Sequence, residues 1–207
     1  MLRYNRRSPD ANVWIMTYLL LAPALLGFGY LLGSVSAAIL TCRALGRADP
    51  RSEGSRNPGA TNVMRVAGRD AAIITLAGDL LKGVIPVLVA RMLTEDPTLW
   101  LLAGVGAFLG HLYPVFFGFR GGKGVATALG VLLAATPLAG LLTVATWLVV
   151  FAIARISGLS ALVAFLLAPL WVVAVTPSLA AIGLVGLMST LLFWRHRENI
   201  RALLQRP

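Results

Sequence analysis

Three polar segments of this chain carry residue types that do chemistry. Gly54-Ser55-Arg56-Asn57-Pro58-Gly59-Ala60-Thr61-Asn62, followed closely by Arg65, packs hydroxyl, amide and guanidinium groups into a dozen positions. Asn57 suits an N-cap and Pro58 a first helical position. A short interfacial helix is therefore expected to begin there and end at Gly68, with Ser55, Thr61, Asn62 and Arg65 clustered near its start. Phe119-Arg120-Gly121-Gly122-Lys123-Gly124-Val125-Ala126-Thr127 is the second segment. Its glycines let backbone N–H groups approach an anion, the helix it enters adds partial positive charge, and Lys123 adds a full one, so it reads as a phosphate cradle. It is not a Walker A loop, because Gly124 follows Lys123 where Ser or Thr is required. The third is Arg195-His196-Arg197-Glu198-Asn199-Ile200-Arg201. His196 and Asn199 share a helical face, and His is the usual acid-base side chain near neutral pH.

Each segment alone has a plainer reading: a capped connector, a Gly-rich turn, and a basic stop facing lipid headgroups. Asp79 and Lys82 lie one helical turn apart inside an apolar stretch, where each charge is costly, so they are expected to face inward as an ion pair. His111, in Gly110-His111-Leu112-Tyr113-Pro114, is open between core packing and the site, and the lone Cys42 is expected to pack between helices.

The elements that must position these groups are apolar. Of 207 residues, 58% are hydrophobic and 13% charged, against roughly 25% charged in soluble domains. The apolar residues come in blocks, at 13–45, 71–93, 99–119, 125–156 and 159–194, each at least as long as the roughly 20 residues needed to cross a bilayer. Pro137 divides the fourth block and Pro177 the fifth. The expected fold is thus an all-α integral membrane protein with seven transmembrane helices, or five if both divided blocks stay whole, in one polytopic domain spanning 1–207. The first apolar run exceeds a signal-peptide h-region and is read as the first membrane helix.

Charge sets the expected orientation. Arg43, Arg47, Arg51, Arg56, Arg65 and Arg69 lie between the first two blocks, Arg120 and Lys123 after the third, and Arg195, Arg197, Arg201 and Arg206 in the tail; Thr94-Glu95-Asp96-Pro97 is acidic. Basic loops stay cytoplasmic, which leaves residues 1–12 as a short extracytoplasmic extension and 195–207 as a cytoplasmic tail. Arg3, Arg6 and Arg7 oppose this assignment but are outnumbered. The net charge of +10 is accounted for by topology, so no nucleic-acid partner is inferred.

This topology, drawn from charge and length, puts all three polar segments on one membrane face. Together they describe a site for a small phosphorylated molecule reacting with a group carried on a lipid chain. An anion transporter would place its polar groups near the midplane and show repeated halves, and no repeat is visible. A CDP-alcohol phosphotransferase would need an Asp-rich metal motif. An acyl-CoA-type acyltransferase would need His-x-x-x-x-Asp, which neither His111 nor His196 supplies.

From about Tyr30 to Leu204 the sequence resembles the bacterial acyl-phosphate:glycerol-3-phosphate acyltransferases, the PlsY family. The resemblance is carried by Gly33-Ser34, the 54–62 loop with Arg65, Asp79-x-x-Lys82-Gly83, the stretch from Gly110-His111 to Thr127, and His196-x-x-Asn199-Ile200. It implies transfer of a fatty acyl group from acyl phosphate to the 1-hydroxyl of glycerol 3-phosphate, giving lysophosphatidic acid and phosphate. This is the first acylation of phospholipid synthesis, at the bacterial inner membrane, with no cofactor, metal or obligatory protein partner. It assigns catalysis to Ser55, Arg65, Lys123, His196 and Asn199. Substrate phosphate falls to Gly121, Gly122, Lys123, Gly124 and Thr127, with Arg56, Thr61 and Asn62. Asp79, Lys82, His111 and Ser157 are left without a fixed role. Because acyl phosphate is already activated, the protein's task is positioning and charge neutralisation, and either His196 or a substrate phosphate oxygen receives the hydroxyl proton. Two positions depart from the family: Gly158 stands where a Ser often precedes Leu, with Ser157 beside it as a substitute, and the chain stops at Gln205-Arg206-Pro207 where the family tail continues with a Gly and a Glu. Any role of that Glu is expected to be absent or replaced.

Overall fold

A computed structural model describes residues 11–176 and 178–205, and these are all-helical with no strand. Arg3, Arg6 and Arg7, Pro177 and Arg206 lie outside the described residues. In chain order the helices are α1 (Ala11–Gly33), α2 (Ala37–Ala44), α3 (Ala60–Val66), α4 (Arg69–Leu93), α5 (Pro97–Leu112), α6 (Val125–Ala135), α7 (Pro137–Ala154), α8 (Ser157–Val175), α9 (Leu179–Arg195) and α10 (Arg197–Leu204), with a single 3-10 turn at Val115–Phe117. The break expected at Pro137 is present, with the proline as the first residue of α7, whereas Pro23, Pro86 and Pro169 are accommodated inside α1, α4 and α8.

Five segments are long and apolar enough to cross a membrane: Tyr18–Ala44, Arg69–Leu93, Pro97–Phe117, Pro137–Ala154 and Ser157–Val175; α9 with α10, bent by 58°, makes a sixth. The lower of the two expected counts therefore fits by length. The physical reason lies in α6 and α9: the 11 residues of α6 reach about 16 Å, roughly half of the hydrocarbon core, and α9, at 17 residues, qualifies only when taken together with α10. The first apolar block is not one helix either. It breaks after Gly33, where Ser36 caps α2 by accepting from the Ile39 N–H at 3.4 Å, and the Lys82 ammonium donates to the freed Val35 carbonyl at 3.1 Å.

Phe108, Leu112, Leu132, Phe165, Met188 and Leu192 form the centre of the largest apolar core, while Leu81, Leu88, Leu148, Leu166 and Leu170 face outward. An apolar outer surface is what a lipid solvent requires. Helices approach closely where small residues allow it. A Cβ at Gly83 would lie 2.1 Å from the Thr127 carbonyl oxygen and one at Gly130 2.2 Å from that of Leu80, so α4 and α6 pack backbone to backbone. α6 covers only the second half of α4: the Thr127 hydroxyl donates to the Asp79 carbonyl at 2.9 Å, and the Arg91 guanidinium donates to the Ala134 carbonyl at 2.7 Å.

The bundle has two chemically distinct ends. At one, Tyr18 donates to the Asp96 carboxylate and Trp100 Nε1 donates to the Thr94 carbonyl at 2.8 Å. At the other meet the 45–68 connection, the 113–124 loop, the turn before α8 and the junction of α9 with α10.

Candidate active site

The first polar segment is built around Asn62. Its Nδ2 donates to the carbonyls of Pro50 (2.9 Å) and Glu53 (3.1 Å), and its Oδ1 accepts the Ser55 N–H at 2.8 Å. Both amide hydrogens are used, so this buried side chain shapes the loop and offers no donor to a phosphate. The expected cap moves with it: α3 begins after Gly59, with neither Asn57 nor Pro58 in the helix, and Gly68 precedes α4. Ser55, Arg56, Thr61 and Arg65 are exposed around this frame, Arg56 with a positive φ of 56°. Arg51 ties the segment to the second loop. Its guanidinium chelates the Asp49 carboxylate, at 2.7 Å for the shortest pair, and donates to the Phe117 carbonyl at 3.0 Å. The hydrogen bonds and charge of Arg51 hold the Asp49 carboxyl below its ordinary range.

The second loop reaches α6 through Gly124, whose φ of 84° is left-handed and which a side chain would push into Phe108. The Gly122 N–H donates to the His111 carbonyl at 3.1 Å. From the opposite side Arg195 donates through Nε to the Gly122 carbonyl (3.1 Å) and through Nη2 to that of Gly121 (2.8 Å), its guanidinium 5.5 Å from the Tyr113 ring centre. Two carbonyls that would repel an anion are thereby capped by a cation. Lys123 donates to the Asn199 side-chain carbonyl. Partial burial pulls the Lys123 ammonium below its ordinary range, Arg195 and Arg65 push the same way, and Glu198 opposes them.

His196 sits at the junction of α9 and α10, buried to 3% exposure. Its Nδ1 is 2.9 Å from the Leu192 carbonyl, and a carbonyl only accepts, so Nδ1 carries the proton and Nε2 the lone pair. Burial, reinforced by Lys123 and Arg195 against the Leu192 hydrogen bond, lowers its pKa to about 4. Asn199 follows one turn later. A Cβ at Gly158 would lie 2.9 Å from Asn199 Nδ2, and Ser157 Oγ is 3.3 Å from Thr61 Oγ1. A shallow cleft lined by Ile156, Gly158, Leu159, Asn199, Ala202 and Leu203 opens beside them.

Beneath the loop lies a buried polar cluster. Lys82 and Asp79 pair at 2.8 Å, and His111 Nδ1 is 3.5 Å from the same Asp79 oxygen and 3.2 Å from the Thr127 hydroxyl. Thr127 is therefore held inside the bundle under the loop.

Contacts thus join Thr61 to Ser157, Gly158 to Asn199 and Asn199 to Lys123, so the three segments and the α7–α8 turn form one assembly. Arg65 enters it through its field at Lys123. Ser55 and Arg56 lie on the adjoining loop. Arg195 and Arg51, counted in the sequence only as topological charge, turn out to anchor the loops; the signal available was the position of Arg195 beside His196.

The family profile described as glycerol-3-phosphate acyltransferase matches residues 23–206. A glycerol-3-phosphate acyltransferase of Thioalkalivibrio sulfidiphilus is 57% identical over 188 residues, covering 90% of this chain and 92% of its own. That of Halorhodospira halophila is 54% identical, covering 83% and 87%. Two crystal structures of PlsY (YgiH), an integral membrane glycerol 3-phosphate acyltransferase, are similar throughout. The glycerol 3-phosphate form superposes with a TM-score of 0.84 at 39% identity, covering 88% of this chain and 92% of that one. The lysophosphatidic acid form gives 0.82 at 38%, covering 88% and 91%. With the profile spanning nearly the whole chain and these identities, the protein belongs to the glycerol-3-phosphate acyltransferase family.

Proposed function

We propose that this enzyme moves a fatty acyl group from acyl phosphate to the 1-hydroxyl of glycerol 3-phosphate, releasing lysophosphatidic acid and inorganic phosphate, as one polytopic unit in the bacterial inner membrane. The observation that carries the reading is the convergence of an amide-and-lysine anion cradle with a neutral histidine whose basic nitrogen is free. Lys123, the backbone N–H groups at the start of α6 and Arg65 hold phosphate groups. The hydroxyl oxygen attacks the acyl carbonyl carbon while His196 Nε2 takes its proton. The acyl carbon–oxygen bond to phosphate breaks, and the proton passes on to the departing phosphate. Asn199 holds the Lys123 ammonium toward the cradle, and the exposed hydroxyls of Ser55 and Thr61 line its rim. Purified protein given both substrates should release phosphate, with none released when either is omitted; release without glycerol 3-phosphate, or none at all, removes the assignment.

The site faces the cytoplasm, with the N-terminus outside. This is supported by the basic connections gathering at one end of the bundle and by the acidic 94–97 turn at the other. All seven apolar segments contribute, α6 starting part of the way along α4 and reaching its far end before α7 returns. Cys42 is buried and is the only cysteine, so a cysteine placed at Ser55 reports on its own accessibility. A membrane-impermeant thiol reagent should label Ser55→Cys in inside-out vesicles and not in intact cells; labelling of intact cells reverses the orientation.

A further inference from the structure

We propose that His111 is a positioning residue for the phosphate loop, a locked floor beneath Gly122 that sets the affinity for the phosphate of glycerol 3-phosphate. The inference rests on the reading of the 121–124 loop as that phosphate's cradle.

The side-chain orientation of His111 is fixed by its neighbours. The Thr127 hydroxyl gives its one proton to the Asp79 carbonyl (2.9 Å), so toward His111 Nδ1, 3.2 Å away, it accepts. Nδ1 therefore carries the ring proton, shared between Thr127 and the Asp79 carboxylate at 3.5 Å. The carboxylate is itself held by Lys82 at 2.8 Å, and Lys82 by the Val35 carbonyl at 3.1 Å. Three helices and the break between α1 and α2 thus fix one imidazole.

The loop rests on His111 in two ways, one through its backbone and one through its ring. The His111 carbonyl accepts the Gly122 N–H at 3.1 Å, and the ring lies so close that a Cβ at Gly122 would fall 2.2 Å from Nε2. Tilting the ring would press on or release Gly122, the residue immediately before Lys123. Packing alone does not account for a histidine there. Nε2 is buried with no hydrogen-bond partner, and an apolar ring of similar size would fill the space without that orphaned lone pair. What an apolar ring lacks is the Nδ1–H that ties the floor to Asp79 and Thr127.

The test measures glycerol 3-phosphate binding calorimetrically on the detergent-purified protein, alongside kcat and the KM of each substrate. His111→Phe keeps a ring and loses the donor; it should raise Kd and KM for glycerol 3-phosphate about tenfold and leave kcat and the acyl-donor KM within about twofold. His111→Asn restores an N–H near the Nδ1 position and should recover most of the loss, to within about threefold of the parent. Thr127→Val conserves shape, removes the bridging hydroxyl and should move KM in the same direction; it and His111→Asn carry the test if His111→Phe does not fold. The proposal is overturned if kcat falls with thermal stability while both KM values stay at parental levels and Asn recovers no more than Phe, or if none of the variants moves Kd. Lys123→Ala separates the two levels. If it leaves glycerol 3-phosphate binding unchanged, the cradle reading itself fails; if it weakens binding while His111→Phe and Thr127→Val do not, only the role of His111 fails.

Discussion

Lys123 and Asn199, 76 residues apart in the chain, are bonded directly, ammonium to side-chain carbonyl, and that contact ties the 121–124 loop to α10. Removing the ammonium deletes a charge-assisted bond in a half-buried setting. Lys123→Ala should weaken glycerol 3-phosphate binding by about 100-fold, and Asn199→Ala, which leaves the charge but frees it, by about tenfold. Titration calorimetry on the two variants checks the order; equal effects would remove Asn199 from its orienting role.

His196 predicts an unusual pH profile. With its pKa lowered from 6.5 to about 4, it is neutral and basic at Nε2 throughout the physiological range. Activity limited by this group should therefore show no acid limb near 6.5 and should decline only as pH approaches 4. The stability sign follows from the same shift. The unfolded chain binds a proton near 6.5 that the folded one refuses until about 4, so stability falls as pH drops through that window. In His196→Asn this part of the pH dependence should vanish from thermal unfolding curves recorded across the interval.

Arg195 spans two consecutive carbonyls with two separate nitrogens of a planar fork, a geometry that a compact ammonium does not reproduce. Arg195→Lys should thus raise the KM for glycerol 3-phosphate by about tenfold even though the charge is kept, and Arg195→Ala should raise it further. A lysine variant with parental KM would reduce the residue to simple electrostatics.

Gly158 touches Asn199 where a larger residue cannot without displacing it. Gly158→Ser should turn the Asn199 amide away from Lys123 and lower kcat/KM by about tenfold, with little change in melting temperature because the amide end is free to move. If activity is unchanged, Asn199 has room that the geometry denies it.

Much of this arrangement was legible in the sequence because it is local. The apolar blocks gave the helices, Pro137 the break before α7, and the Asp79–Lys82 spacing an ion pair that indeed forms. What failed depended on partners distant in the chain. Asn57-Pro58 looked like a helix start, yet the loop is organised by Asn62 holding Pro50, Glu53 and Ser55, and α3 begins later. The side chains of Asn62 and Thr127 looked like phosphate donors, but their side-chain protons are spent inside the protein, which leaves Thr127 only its backbone N–H in the first turn of α6. The break after Gly33 was invisible because its freed Val35 carbonyl is satisfied by Lys82, 47 residues away. Arg195 and Arg51 were indistinguishable from topological charge until the carbonyls they bind came into view. The length of α6 could be counted, but not its consequence for the number of full crossings.

That short helix has a bearing on how water and lipid meet. Thr127 in its first turn is bonded at Asp79, ten residues along α4 from Arg69, or about 15 Å down its axis. The glycines ahead of α6 consequently lie well below the N-terminal end of α4, level with the last turn of α5 and the end of α9. Under the proposed function, a phosphate held at these glycines sits beside the middle of α4, where Leu76 and Leu81 already make the outer surface apolar. The late start of α6 thus sets the anion loop level with lipid-facing side chains instead of beyond them.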